Sequence, residues 1–306
     1  MILLLSLALT VLPADTLPEA SKDTVHAINR AEIFTGVDKF NFRVKDFDLN
    51  RRNRLMLQPR IAPVAGFFIH YKWLMFAYSK SLLFAKDERN NPVKATNVGA
   101  SYLGDRWGVI SSIRRYKGLE LIEGNNTNHT VYPALTYLQA SADVYRVMGK
   151  NRFSVKNAFG YNTGQVKQGR AFLSFLHIDS QQWNEVPVVK QDSIYVPQAP
   201  PGHYRYITNI IPEAAFACNR LFGKKGFNGA LLLHSGVGAS LVAGKGALPA
   251  WGCAWDVGTI AQFGINGPKW YSYLLGKDDY LNHTQSKARL LNNNLQSIFL
   301  VLGLRF

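Results

Sequence analysis

A chain of 306 residues has room for one or two domains, and its 47% hydrophobic content, with 18 Phe, 14 Tyr and 6 Trp, excludes a disordered polymer. Two cysteines exclude a disulfide scaffold, and no pair or cluster has zinc spacing. The net charge of +15 favours anionic partners (nucleic acid, acidic lipid or lipopolysaccharide phosphates, anionic solutes) without choosing among them.

Residues 1–14 are an apolar run closed by Pro13-Ala14. The run is too short for a helical membrane span, which needs about 20 residues. It fits the hydrophobic region of a secretory signal with cleavage after Ala14, or alternatively after Ala20, although the basic flank is missing. Beyond it no apolar run approaches 18 residues, so helical spans are excluded.

Residues 15–52 read as a polar, mixed-charge lead-in, with one short helix over 24–33. From residue 53 the texture changes to segments of about ten residues that alternate in polarity between Gly, Asn, Asp and Pro. That period of two belongs to strands with two unlike faces. In 250–265, Trp251, Trp255, Val257, Phe263 and Ile265 oppose Gly252, Asp256, Gly258 and Gln262. In 227–241, Leu231, Leu233 and Val237 oppose His234, Gly236, Gly238 and Ser240. In 130–147, Leu138, Ala140 and Val144 oppose Gln139, Ser141 and Asp143. The chain closes with Leu300, Leu302, Leu304 and Phe306 on one face, as outer-membrane barrels present a final strand to their insertion machinery.

Strands of this length suit a bilayer crossing, which takes about 9–11 residues. Small residues on the polar faces suit a crowded lumen better than a solvated sheet. Trp73, Trp107, Tyr116, Tyr132, Tyr145, Trp251, Trp270, Tyr271 and Tyr273 lie near strand ends, where interfacial girdles form. The expected fold is therefore all-β: a transmembrane, antiparallel, up-and-down barrel over 53–306. Thirteen segments are counted, 151–161 among them; single-chain barrels have even numbers, so 185–196 is added to give 14 strands. Twelve is the fallback, with 53–60 and 185–196 outside the barrel.

The ordered motifs carry a resemblance. Leu55-Met56-Leu57-Gln58-Pro59, Gly66 to Tyr71, Leu74 to Tyr78, Arg115-Tyr116-Lys117-Gly118, Val144 to Ser154, Gln168 to Leu173 and Gly303 to Phe306 follow one another over about residues 45–306. In this order the chain resembles an uncharacterised outer-membrane β-barrel family, a domain of unknown function found mainly in Bacteroidota. It departs at Gln168 to Leu173, where similar proteins tend to carry more Lys and Ser. The resemblance implies fold and location, the bacterial outer membrane, and carries over no catalytic residue.

No catalytic, cofactor-binding or metal-binding residue is singled out, and no cofactor is expected. His234-Ser235 is the nearest approach to a hydrolase pair, but adjacent strand residues point to opposite faces. His70, His129, His177 and His283 have no metal spacing, the second and last reading as loop residues. Asn125, Asn128 and Asn282 begin glycosylation-type triplets that read as outer-loop tips. Arg114, Asp143, Arg152, Lys156, Arg205, Glu213 and Asp256 are expected to point inward, either lining a polar, anion-preferring pore or pairing to fill the lumen. The basic excess then belongs to rims such as Arg51-Arg52, Lys117 and Lys224-Lys225. Cys218 and Cys253 are expected on strands separated by one other, about 9–10 Å apart and unable to pair.

Expected partners are outer-membrane lipid and lipopolysaccharide, the insertion machinery and anionic solutes; no nucleic-acid motif is present, and a monomer is expected. Three functions stay open: a channel or a binding or structural barrel, a barrel enzyme acting on lipid or lipopolysaccharide, and a secreted soluble all-β protein.

Overall fold

The computed structural model describes residues 29–46, 54–58, 62–72, 74–82, 94–104, 106–123, 128–148, 155, 168–183, 205–222, 227–244, 247–267, 269–285 and 289–306. Their strands are β1 (Asn29–Asp46), β2 (Arg54–Gln58), β3 (Ala62–Tyr71), β4 (Leu74–Ser81), β5 (Lys94–Leu103), β6 (Trp107–Glu123) and β7 (Asn128–Val147). They continue with β8 (Gly169–Trp183), β9 (Arg205–Phe222), β10 (Phe227–Gly244), β11 (Ala247–Asn266), β12 (Trp270–Gln285) and β13 (Arg289–Arg305). All pairings are antiparallel, and β13 returns to β1 from Arg30↔Arg305 to Asp46↔Arg289, closing a barrel. Closure removes the open edge that a membrane would not tolerate. The two ends of the sheet are tied where the Phe306 amide donates to the Asn29 carbonyl at 3.2 Å.

The wall has twelve strands, the fallback number rather than 14. β1 is a full wall strand, so the barrel begins at Asn29 and not at 53, and residues 29–33 are strand instead of helix. β1 reads as polar because Arg30, Glu32 and Asp38 sit on its buried face, where His70, Tyr271 and Tyr116 meet them from other strands. Segment 151–161 is not a wall strand at its one described residue, Val155, which is helical and buried against Tyr145, Val147, Ala171 and Leu173. Segment 185–196 lies outside the described residues.

The thirteenth strand, β2, is an inset. β1 pairs with β3 over Asn29–Asp38, then with β2 over Phe42–Lys45. β6 pairs with β5 up to Lys117 and then with β2 from Glu120. At the end where β6 leads into β7, β2 alone replaces β3, β4 and β5, so the wall narrows there. The change of partner on β6 falls at Gly118, where the β6–β7 register shifts and φ is 82°, a left-handed conformation that glycine adopts without a Cβ clash.

Alternation sorts the two faces as the sequence implies. Ile33, Phe76, Phe172, Val237, Leu274 and Leu300 are exposed on the outside, part of an apolar belt far larger than a soluble monomer shows. Exposed bases bracket the belt. Outward Arg146 and Arg170, with Arg106 and Lys269 in the adjoining turns, stand at the end of the β3–β4, β9–β10 and β11–β12 turns, and outward Lys80, Lys94, Arg115 and Lys117 stand further along. Trp107 to Lys117 spans about 33 Å of strand, which at a tilt of about 40° is about 25 Å of height, the apolar band of such barrels. Strands β9, β10 and β11 have 18, 18 and 20 residues, so the wall continues well past this belt.

Of the aromatic residues expected in the girdle, Trp107 (52% exposed), Trp251 (72%) and Trp270 (63%) face outward. Tyr116, Tyr145, Tyr271 and Tyr273 are instead buried inside the barrel. Their hydroxyls explain the correction. Tyr116 donates to Asp38 (2.7 Å), Tyr145 to the Gly104 carbonyl (3.0 Å), and Tyr271 and Tyr273 to Glu32 (2.5 and 2.7 Å). A buried phenol needs a partner, and these find one beyond their neighbouring strands. Trp73 and the Tyr132 side chain lie outside the described residues.

Cys218 on β9 and Cys253 on β11 are free thiols flanking β10. They pair with Leu231 and Ala239, eight positions apart on β10. The two are therefore offset by about 26 Å along the wall, further than the lateral spacing of strands alone.

Candidate functional site

The lumen is filled in layers. At the end of the β3–β4, β9–β10 and β11–β12 turns lies an apolar floor of Leu103, Tyr145, Val155, Leu173 and Leu232, beside a second cluster of Phe34, Tyr271, Tyr273 and Val301. Within the latter, Glu32 is buried against Arg30 (3.1 Å) and His70 (3.3 Å). Toward the other end Phe40 stacks on Tyr116 and Tyr137, with ring centroids 5.3 and 4.3 Å apart. Asn293 Nδ2 then donates to the Tyr137 hydroxyl at 3.1 Å, joining β13 to β7 on opposite walls.

Between these plugs is a polar layer. His177 Nδ1 on β8 bonds Asp143 Oδ1 on β7 at 2.5 Å. Asp179 accepts from Gln139 (2.7 Å), Gln181 (2.6 Å) and Asn209 (3.3 Å). Lys277 Nζ lies 3.4 Å from Asp279. Arg114, Asp143 and His177 from one wall and Lys277, Asp279 and Asn293 from the other border a cavity of about 20 Å³. That is room for about one water. Asp143, Asp179, Glu213, Asp256 and Asp279 outnumber the permanent cations Arg114 and Lys277, so this layer is acidic within a protein of charge +15.

The layer's most concentrated chemistry sits on β9, β10 and β11. His234 Nδ1 lies 2.9 Å from Glu213 Oε2 and 3.3 Å from Asp256 Oδ2. Register builds the arrangement. Glu213 and Asp256 are the two cross-strand partners of Gly236, and His234 precedes Gly236 by two positions on the same face. A Cβ on Gly236 would meet Glu213 Cγ at 2.5 Å, so the glycine makes the space into which that side chain folds. Gly258, the partner of His234, does the same for the imidazole: a Cβ there would collide with its Nε2 and Cε1 and lie 3.1 Å from Asp279 Oδ1.

Of the residues expected to point inward, Arg114, Asp143, Glu213 and Asp256 do so. Arg152 and Lys156 lie outside the described residues, as does the Arg205 side chain. Ser235 is exposed on the outer face, away from His234, as alternation requires. His283 is a buried residue of β12 and not a loop residue; Asn282 beside it is buried too, and Asn128 and His129 belong to β7, so these triplets are strand rather than loop tips. Asn125 lies outside the described residues. The joining of Glu213, His234 and Asp256 was missed because these positions are distant in sequence. Two hairpins carrying inward residues at matching heights were the available signal.

The family model of a domain of unknown function (DUF4421) matches residues 26–306. The chain belongs to this family. Among curated proteins, none matches the chain. Among solved structures it is similar to the outer membrane protease OmpT from Escherichia coli, at 8% identity over 95% of this chain and 99% of that one (TM-score 0.45). It is also similar to the β domain of the Bordetella autotransporter BrkA, at 11% identity over 91% and 98% (TM-score 0.38). A third similarity is to the P. putida toluene transporter TodX, at 7% identity over 91% and 90% (TM-score 0.29). The family member described here is a closed, antiparallel, all-β barrel with an apolar exterior.

Proposed function

We propose that this family member resides in the bacterial outer membrane as a monomeric barrel with a closed lumen, serving as a binding or structural element and not as a diffusion channel. The observation that carries the reading is the Asn293–Tyr137 hydrogen bond between opposite walls, backed by the Phe40 stack. An aqueous pore needs a continuous water-filled path, and the cavity bordered by Arg114, Asp143, Lys277 and Asp279 holds about one water.

The two outward basic rims fit the phosphates of lipid or lipopolysaccharide, with the apolar belt in the hydrocarbon between them. Export would use the apolar leader at residues 1–14, which precedes the first wall strand at Asn29. Insertion would use the outward Leu302, Leu304 and Phe306 of the last strand.

Planar-bilayer recording of the chain folded in detergent tests this. The expected result is a heat-modifiable, folded band on gels with no steady conductance. Ohmic conductance that persists under a salt gradient would overturn the closed lumen, and its reversal potential would report the ion preferred.

A further inference from the structure

We propose that Glu213, His234 and Asp256 form a binding site for one divalent transition-metal cation. The reading concerns the interior of the wall and stands whether or not the barrel conducts. Three donors from three adjacent strands converge, and the candidate ligand atoms all lie within 4.8 Å of one another. Tetrahedral coordination at about 2.0–2.2 Å from N and O donors places neighbouring ligands about 3.4 Å apart. The observed separations from His234 Nδ1 are 2.9 and 3.3 Å, near that spacing, so an ion could take the place of the imidazole proton that faces both carboxylates.

Unmet valence at the same place points to a ligand independently of the cluster. Asp256 is 1% exposed; its Oδ1 has no hydrogen-bond partner, and its Oδ2 faces only His234 Nδ1, at 3.3 Å. Glu213 Oε1 and Asp279 Oδ1 are likewise buried without one. Buried carboxylates left this way are costly unless a charge satisfies them. Asp279 on β12 has Lys277 as its cation, which leaves Glu213 and Asp256 sharing His234. With the imidazole neutral, a divalent ion balances these two carboxylates. One imidazole and two carboxylates suit Zn²⁺, Mn²⁺ or Fe²⁺ better than a hard, all-oxygen cation. The water-sized cavity bordered by Asp279 adjoins the site and could hold a water as a further ligand.

The chain would be folded in detergent with ZnCl₂ present, so that access to the lumen is not limiting, then desalted and its metal counted by mass spectrometry. About one Zn²⁺ per chain is expected. X-ray absorption of the loaded wild type should show an imidazole and oxygen donors and no sulfur. His234→Gln and Asp256→Asn, checked for heat-modifiable folding, should each bind at least about tenfold more weakly. His177→Gln, outside the site, should keep wild-type affinity. Failure of the wild type to retain zinc would overturn the site. So would a first shell lacking imidazole, or folded His234→Gln and Asp256→Asn that bind as wild type does. If neither variant folds, the wild-type absorption spectrum decides alone.

Discussion

Tyr137 and Asn293 meet at 3.1 Å although their strands stand on opposite walls of the barrel, and that bond bridges the lumen. Tyr137 also stacks on Phe40, itself buried, so one ring anchors the polar and the apolar halves of the plug. Tyr137→Ala is expected to destabilise the folded state by roughly 3–5 kcal/mol, the range for truncating a buried aromatic. With Phe40→Ala added, conductance should appear in planar bilayers where the parent chain shows none. A silent, folded double variant would mean that the floor around Val155 closes the barrel by itself.

Glu32 is enclosed by Arg30, His70, Tyr271 and Tyr273. Replacing it with Gln keeps the shape but leaves Arg30 as a buried cation without its carboxylate. A loss of roughly 3–5 kcal/mol is expected, read as a lower urea midpoint for refolding into micelles. Glu32→Gln together with Arg30→Met should recover much of it; no recovery would show that the tyrosine hydroxyls, and not the ion pair, set the cost.

On the lipid face the penalty should depend on depth. Leu300 lies within the apolar belt opposite Leu274, while Leu304 sits beside Trp270 near the rim. Leu300→Arg is expected to cost about 2–4 kcal/mol and Leu304→Arg about 0–1 kcal/mol. Equal costs from folding titrations in lipid vesicles would displace the belt from where the basic rims put it.

Gly118 is the residue at which β6 leaves β5 for β2, with φ of 82°. Gly118→Ala would force a side chain into a left-handed conformation, at roughly 1–2 kcal/mol. The expected result is a lowered unfolding temperature with the gel shift of the folded barrel retained. An unchanged temperature would show that the bulge relaxes without strain.

Gly258→Ala places a methyl group where the His234 ring lies. Zinc retention should fall as it does for His234→Gln, while the neighbouring His177–Asp143 pair stays intact. Full retention in a folded Gly258→Ala chain would mean that the imidazole has another rotamer from which to reach Glu213 and Asp256.

Much of the wall was legible because side-chain alternation is a property of the backbone itself. Leu233 outward and His234 inward, or Trp255 outward and Asp256 inward, follow from a period of two without knowledge of any partner strand. The same reasoning failed at β1. There the inward face carries Arg30, Glu32 and Asp38, so the strand reads as a polar tail until Tyr271, Tyr116 and Ser297 are seen to satisfy it from other strands.

By itself, then, the sequence determined that this chain is a barrel of long two-faced strands with an apolar exterior. Each strand carries that information locally, in its own alternation. Only the tertiary structure decided that twelve strands close the wall, that Tyr116, Tyr145, Tyr271 and Tyr273 turn inward, and that Glu213, His234 and Asp256 share one point. Those outcomes depend on register between strands and on contacts across the lumen. The partners are joined by hairpins or lie far apart in sequence, and no periodicity within a single segment encodes their height on the wall.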